Sequence, residues 1–217
     1  MRIYLSQLIL NPGSLMVQSE FENPYEMHRT LMRGFPCKRN EANVLYRLES
    51  NSYSGNVTLL VQSSIEPQWE PLTKVGQGQY LFSPPVFKAV DLHLQQRQIL
   101  RFRLVANPSV KRDGKRHALY DEEEQRRWLM TKGSGCTEKK RPSHGFEVLD
   151  VDIQKGNNQQ GHLYRDNGEK HNVTIHRVQF DGILQVTDPA TFLAAIQSGI
   201  GSGKAFGFGL LSVAPVR

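Results

Sequence analysis

An α+β fold made of two β-α-β-β-α-β units with antiparallel sheets is what this sequence predicts, and three observations carry it. Apolar residues alternate with period two in Arg2 to Leu10 and again in Ile99 to Val105, as in strands with one buried face. Helix start and stop signals bracket Asn23 to Gly34 and Asp188 to Gly199. A polar, proline-containing stretch from Ser83 to Gln96 joins the halves, so we expect an N-terminal domain over 1–90 and a C-terminal domain over 91–217.

The elements follow in chain order. After the first strand, Asn23 is a good helix cap, Pro24 takes the first helical position, Glu26 stands three residues after the cap, and Gly34 stops the helix. Asn43 to Glu49 and Val57 to Gln62 read as strands around the turn formers Asn51, Ser52, Ser54 and Gly55. Only the short stretch around Trp69 is available for a second helix in this half. The second half opens with ILRFRLVANP, and DEEEQRRWLMTK follows as a helix with acids in its first turn and bases later, as the macrodipole prefers. Strands are expected at Phe146 to Ile153, Val173 to Phe180 and Ile183 to Val186. Between the first two, the polar segment from Gln154 to Asn172 reads as a protruding hairpin or loop. Asp188 caps a last helix whose apolar stripe is Phe192, Leu193 and Ile196, and Leu210 to Val213 is the final strand. The order in each half is that of a ferredoxin-like, or RRM-like, unit, giving a tandem.

Composition excludes other classes. Hydrophobic residues at 38% and charged residues at 22% fit a globular chain rather than a disordered one. No apolar run approaches the roughly 18 residues needed to cross a bilayer, and no cleavage site follows the N-terminal strand, so we expect a cytoplasmic protein without a membrane partner. Cys37 and Cys136 stand far apart in no metal-binding spacing, and we expect two reduced thiols.

The net charge of +6 resides in one stretch. Arg97, Arg101, Arg103, Lys111, Arg112, Lys115 and Arg116 face only Asp113 there. Strand alternation puts Arg101 and Arg103 on one face, leading into a basic loop, which makes a track for nucleic-acid phosphates or a plain solvated face. The string GIGSGKAFGFG holds Gly199, Gly201, Gly203, Gly207 and Gly209 around Lys204. It fails the phosphate-binding Walker pattern, because Ser198 and Ala205 occupy required positions, and its spacing fails the dinucleotide fingerprint. What remains is a tight connection or a loop of exposed amides on which something is laid.

Of the histidines, His28 has the most informative neighbours. Tyr25 lies three residues earlier, about 60° away around the helix, while Met27 and Leu31 form a separate apolar face. The helix should therefore display Tyr25, His28 and Arg29, with Arg33 one turn beyond Arg29. An imidazole exchanges protons near neutrality, and guanidinium groups hold phosphate and developing negative charge. That suits RNA phosphodiester cleavage, in which the 2′-hydroxyl is an internal nucleophile.

Two motifs then coincide. NPYEMHRTL, Asn23 to Leu31, and GIGSGKAFGFGLLSVAP, Gly199 to Pro215, together resemble the CasE (Cse-type) family of CRISPR repeat-RNA endoribonucleases of the type I-E Cascade system. YLSQLILNP and RFRLVANPSVKR resemble the same family, so the likeness runs from end to end. The resemblance implies two ferredoxin-like domains of the RAMP superfamily. It further implies cleavage at the base of a repeat stem-loop, without metal or cofactor, to 2′,3′-cyclic phosphate and 5′-hydroxyl ends. The guide RNA would be retained with other Cascade subunits. By position, His28 matches the catalytic histidine and Tyr25 its neighbouring tyrosine. Arg33 falls where some relatives have a catalytic lysine and is assigned electrostatic support. Arg29, Arg101, Arg103, Lys111, Arg112, Lys115, Arg116 and Lys204 become RNA-binding candidates, with Lys155, Arg165 and Lys170 as the full cations of the hairpin segment. Two other readings stand beside this one: a non-catalytic RNA-hairpin scaffold, and a phosphate-binding enzyme using the glycine-rich loop.

Overall fold

The computed structural model describes residues 1–36, 39–50, 57–73, 79–136, 142–156, 158–164 and 170–216. Its first half contains β1 (Arg2–Leu10), α1 (Leu15–Glu22), α2 (Pro24–Met32), α3 (Arg39–Ala42), β2 (Leu45–Ser50), β3 (Val57–Ser63), α4 (Glu70–Thr73) and β4 (Val86–Asp91). Then come β5 (Ile99–Ala106), β6 (Ser109–Arg112), β7 (Lys115–Ala118), α5 (Glu122–Ser134) and β8 (Phe146–Lys155). β9 (Gln159–Tyr164), β10 (Lys170–Ile175), β11 (Val178–Val186), α6 (Pro189–Ser198) and β12 (Leu211–Pro215) complete the chain. The two large sheets run β2-β3-β1-β4 and β12-β5-β11-β8, every pair antiparallel. In both, the first and third strands are central and the fourth lies beside the first, which is the ferredoxin-like order twice over.

Each sheet buries one face. Leu8, Leu10, Met27, Leu31, Tyr46 and Leu59 fill the first core, and Leu104, Phe146, Phe180, Leu184 and Phe192 the second. Each such side chain contributes about 1.5–3 kcal/mol on burial. A smaller cluster of Val105, Ile175, Phe206 and Phe208, with Tyr25 packed against it, lies where the halves meet. Polar side chains fasten the same seam. The buried Arg47 guanidinium donates to the carbonyls of Arg103 (3.4 Å) and Leu210 (3.3 Å), to Ser212 Oγ (3.1 Å) and to Glu49 Oε1 (2.5 and 3.0 Å). Gln62 donates to the Ile196 carbonyl at 2.8 Å.

Several expectations need correction. The polar join contains β4, whose side chains are mostly exposed because it is an edge strand, so its alternation carries little apolar signal. α1 was not expected because its inward face includes a carboxylate. Glu20 is buried, accepting hydrogen bonds from the Thr30 hydroxyl and from Tyr80 Oη (2.6 Å), and burial pushes its carboxyl above the usual range. The expected strands Val173 to Phe180 and Ile183 to Val186 divide differently: β10 belongs to the β9–β10 hairpin, and β11 runs unbroken through Gly182. Gly34 does follow α2, but without a left-handed conformation. A Cβ there would lie 2.7 Å from the Trp69 ring, so close approach demands the glycine. The basic loop is itself a hairpin, β6–β7, turning on Asp113 (φ 50°) and Gly114 (φ 76°), the positive pair that tight hairpins use. The turn expected between the second and third strands falls on 51–56, which with Cys37 and Arg165 lie outside the described residues; Cys136 is a free thiol.

Candidate functional site

The glycine-rich loop and α2 meet at the seam between the sheets, and the basic hairpin leaves the second sheet beside that loop. Asn23 precedes α2 and Pro24 opens it, Met27 and Leu31 anchor it in the first core, and its opposite side meets the loop's short 3-10 turn, Lys204–Phe206, and β9. Here the expected display of His28 is wrong: its side chain is inward, with the residue only 4% exposed. The imidazole lies nearly parallel to the Tyr46 ring, 18° between planes and 6.3 Å between centroids. Tyr25 is half-buried, its ring 5.9 Å from that of Phe206. The family-like tyrosine thus meets the loop through Phe206, while the histidine is turned inward beside Tyr46.

Arg29 and Arg33 are the residues α2 displays. Arg29 pairs with Glu26 at 2.9 Å. Arg33 lies about 140° around the helix from His28, so helix geometry groups it with Arg29 and not with the imidazole.

Of the two readings of the loop, a tight connection and a surface of exposed amides, the packing of its glycines fits the first. Gly199 and Gly209 are buried and Gly201, Gly203 and Gly207 half-buried. All five have positive φ. At Gly207 a Cβ would stand 3.0 Å from the Tyr46 ring, and at Gly209 2.9 Å from the Ile200 carbonyl, so the glycines are accounted for by packing and conformation inside the protein. Lys204 is half-buried and its ammonium is pushed below the usual lysine range by that burial.

The cations divide into two groups. Lys111, Arg112, Lys115 and Arg116 are exposed on the β6–β7 hairpin, which leaves the sheet beside the loop through the Asn107 to Ser202 bridge. Lys155 is exposed at the end of β8, and Lys170 begins β10. Arg101 and Arg103 do share the open face of the second sheet, but this face is not a purely basic track. Arg103 forms a fork with Asp181 (2.6 and 3.0 Å), and Asp181 stands across from Asp152. A cavity of about 520 Å³ opens over Arg101, Arg103, Asp181 and Ser212.

Sequence reasoning passed over Tyr46, Arg47 and Arg177. The first two sit in a strand whose alternation marks core and face without saying that a phenol and a guanidinium would be buried. Arg177 lines a small cavity with Arg47, Phe206 and Gly207, and burial, then Arg47 and Arg103, lower its pKa.

Comparison with known proteins places this geometry. The model of the family described as CRISPR associated protein matches residues 3–215. The CRISPR-associated endoribonuclease Cse3 of Thermus thermophilus is 36% identical, over 98% of this chain and 100% of that protein. The CRISPR system Cascade subunit CasE of Escherichia coli is 27% identical, over 99% and 100%. Thermus Cse3 bound to an RNA representing a pre-cleavage complex superposes with a TM-score of 0.78 at 35% identity, covering 99% of this chain and all of the other. Cas6e of E. coli superposes at 0.68 and 26% identity, covering 98% and 100%. With this match from end to end in sequence and fold, the chain belongs to the CRISPR-associated Cse3/CasE family of endoribonucleases.

Proposed function

We propose that the protein cleaves CRISPR precursor RNA at the base of the repeat stem-loop without metal, through attack of the 2′-hydroxyl, and keeps the product within Cascade. The observation that carries this reading is the packing of the helix of His28 and Tyr25 against the glycine-rich loop, beside which the β6–β7 hairpin and its exposed cations leave the sheet, in a chain alike throughout to an endoribonuclease solved with RNA. His28 serves as general acid or base and Tyr25 as its partner, while Arg29 and Arg33, on the exposed stripe of the same helix, hold phosphate and stabilise charge. The two ferredoxin-like units divide at residues 90 and 91 in this reading, the catalytic helix in the first and the cations of β6–β7 in the second.

A-form RNA has a deep, narrow major groove, so a hairpin is recognised by shape and phosphates, which exposed lysines and arginines supply. The open face of the second sheet supplies Arg101, Arg103, Gln179, Asp181 and Ile183, with no aromatic among them for stacking single-stranded bases.

The test is to incubate the protein with a repeat stem-loop in excess chelator and analyse the new ends. Cleavage is expected to persist and to yield 2′,3′-cyclic phosphate and 5′-hydroxyl termini; loss of cleavage on chelation, or 3′-hydroxyl products, contradicts the reading. Binding without cleavage under all conditions favours the scaffold alternative.

Changing Lys111, Arg112, Lys115 and Arg116 together to alanine should weaken stem-loop binding and flatten the plot of log K against log[salt]. Each lost phosphate contact lowers that slope by somewhat under about one unit. Fluorescence anisotropy across a salt series measures it, and an unchanged slope removes the hairpin from the RNA interface.

A further inference from the structure

We propose that Tyr46 is a positioning residue for His28, its phenol tying the start of the histidine helix to the glycine-rich loop. The proposal rests on the reading of His28 as the proton-transfer group. Tyr46 Oη lies 2.6 Å from the Pro24 carbonyl, to which it donates, and 3.2 Å from that of Ala205 as a longer second contact. Pro24 supplies the carbonyl that α-helical pairing assigns to the His28 amide, so the phenol grips the turn on which the imidazole stands. Ala205 belongs to the 3-10 turn covering that turn of helix, and its neighbour Phe206 touches Tyr25. The aromatic ring meanwhile lies alongside the imidazole at stacking distance. One side chain therefore fixes the helix start, the loop and the plane of the histidine.

Tyr46 acts by geometry and not by proton transfer. It is fully buried, and its phenol is pushed far above the ordinary tyrosine range by burial first and the Glu20 carboxylate second, which keeps the hydroxyl protonated as a donor. The loop is shaped around it, since a side chain at Gly207 would press on the Tyr46 ring.

Tyr46→Phe removes the hydroxyl and keeps the ring. Misplacing a catalytic group by a fraction of an ångström to an ångström costs on the order of 10- to 100-fold in rate. The single-turnover cleavage rate of a repeat stem-loop should fall by that factor, well below the melting temperature, while its Kd changes less than about 2-fold. In a two-dimensional spectrum of histidine-labelled protein, the His28 ring signals, assigned by their absence in His28→Ala, should move while those of the other six histidines stay. Wild-type cleavage by Tyr46→Phe beside an inactive His28→Ala overturns this proposal alone. Parallel loss of rate and affinity with unmoved His28 signals makes Tyr46 a plain structural residue and overturns it too. Full cleavage by His28→Ala overturns the underlying reading, and this proposal with it.

Discussion

His28→Ala is expected to lower single-turnover cleavage of the repeat stem-loop by at least about 10²-fold, the lower end of what a positioned acid or base contributes. Hairpin affinity should stay within a few-fold of wild type. The separation of the two effects follows from where the residue sits. His28 is almost wholly inside the protein, whereas Arg29, Arg33 and the β6–β7 cations are exposed to a polyanion. Removing a buried imidazole leaves that charged surface unchanged. Rapid-quench cleavage with enzyme in excess, together with anisotropy on a non-cleavable 2′-deoxy substrate, measures both quantities. Full activity removes His28 from the chemistry, and a matching loss of affinity would show that its role is to shape the binding surface.

The same residue shows how far the sequence could be read. Local signals placed the His28 helix correctly, because a proline at its first turn and an apolar pair at Met27 and Leu31 are decided within one segment. Whether His28 is displayed or covered is decided by partners from elsewhere in the chain, Tyr46 beside its ring and the loop about 175 positions later that packs on its helix, and no helical wheel contains that information. Long-range partners also changed the meaning of Arg103 and of the glycines. Alternation put Arg103 on the open face, and only the strand register reveals Asp181 beside it. Glycine density suggested a surface for ligands, whereas Tyr46 and the Ile200 carbonyl explain why two of those positions exclude a side chain. β4 and α1 were hard to read for opposite reasons: an edge strand needs few apolar residues, and α1 turns a carboxylate inward where Thr30 and Tyr80 satisfy it.

Arg47→Met should destabilise the fold by about 3 kcal/mol, near the lower end for breaking a buried ion pair. At the roughly 2–4 °C per kcal/mol expected for a chain of this size, the melting temperature falls by about 6–12 °C. Methionine preserves much of the apolar stem, so the loss comes from the polar end. The carbonyls of Arg103 and Leu210 and the hydroxyl of Ser212 lose their shared donor at the seam. Two effects keep the cost from reaching the upper end. Glu49 is 38% exposed and regains water when its partner goes, and Arg177, whose pKa is lowered partly by the Arg47 charge, is relieved of a like-charged neighbour. The bonds that disappear run between β2 of the first sheet and β5 and β12 of the second, so the damage should concentrate where the halves join. Differential scanning fluorimetry with limited proteolysis checks this: the transition should move down, and early cuts should fall between the two sheets. An unshifted transition would mean that Gln62 and the apolar cluster around Phe206 and Phe208 hold the seam without the guanidinium.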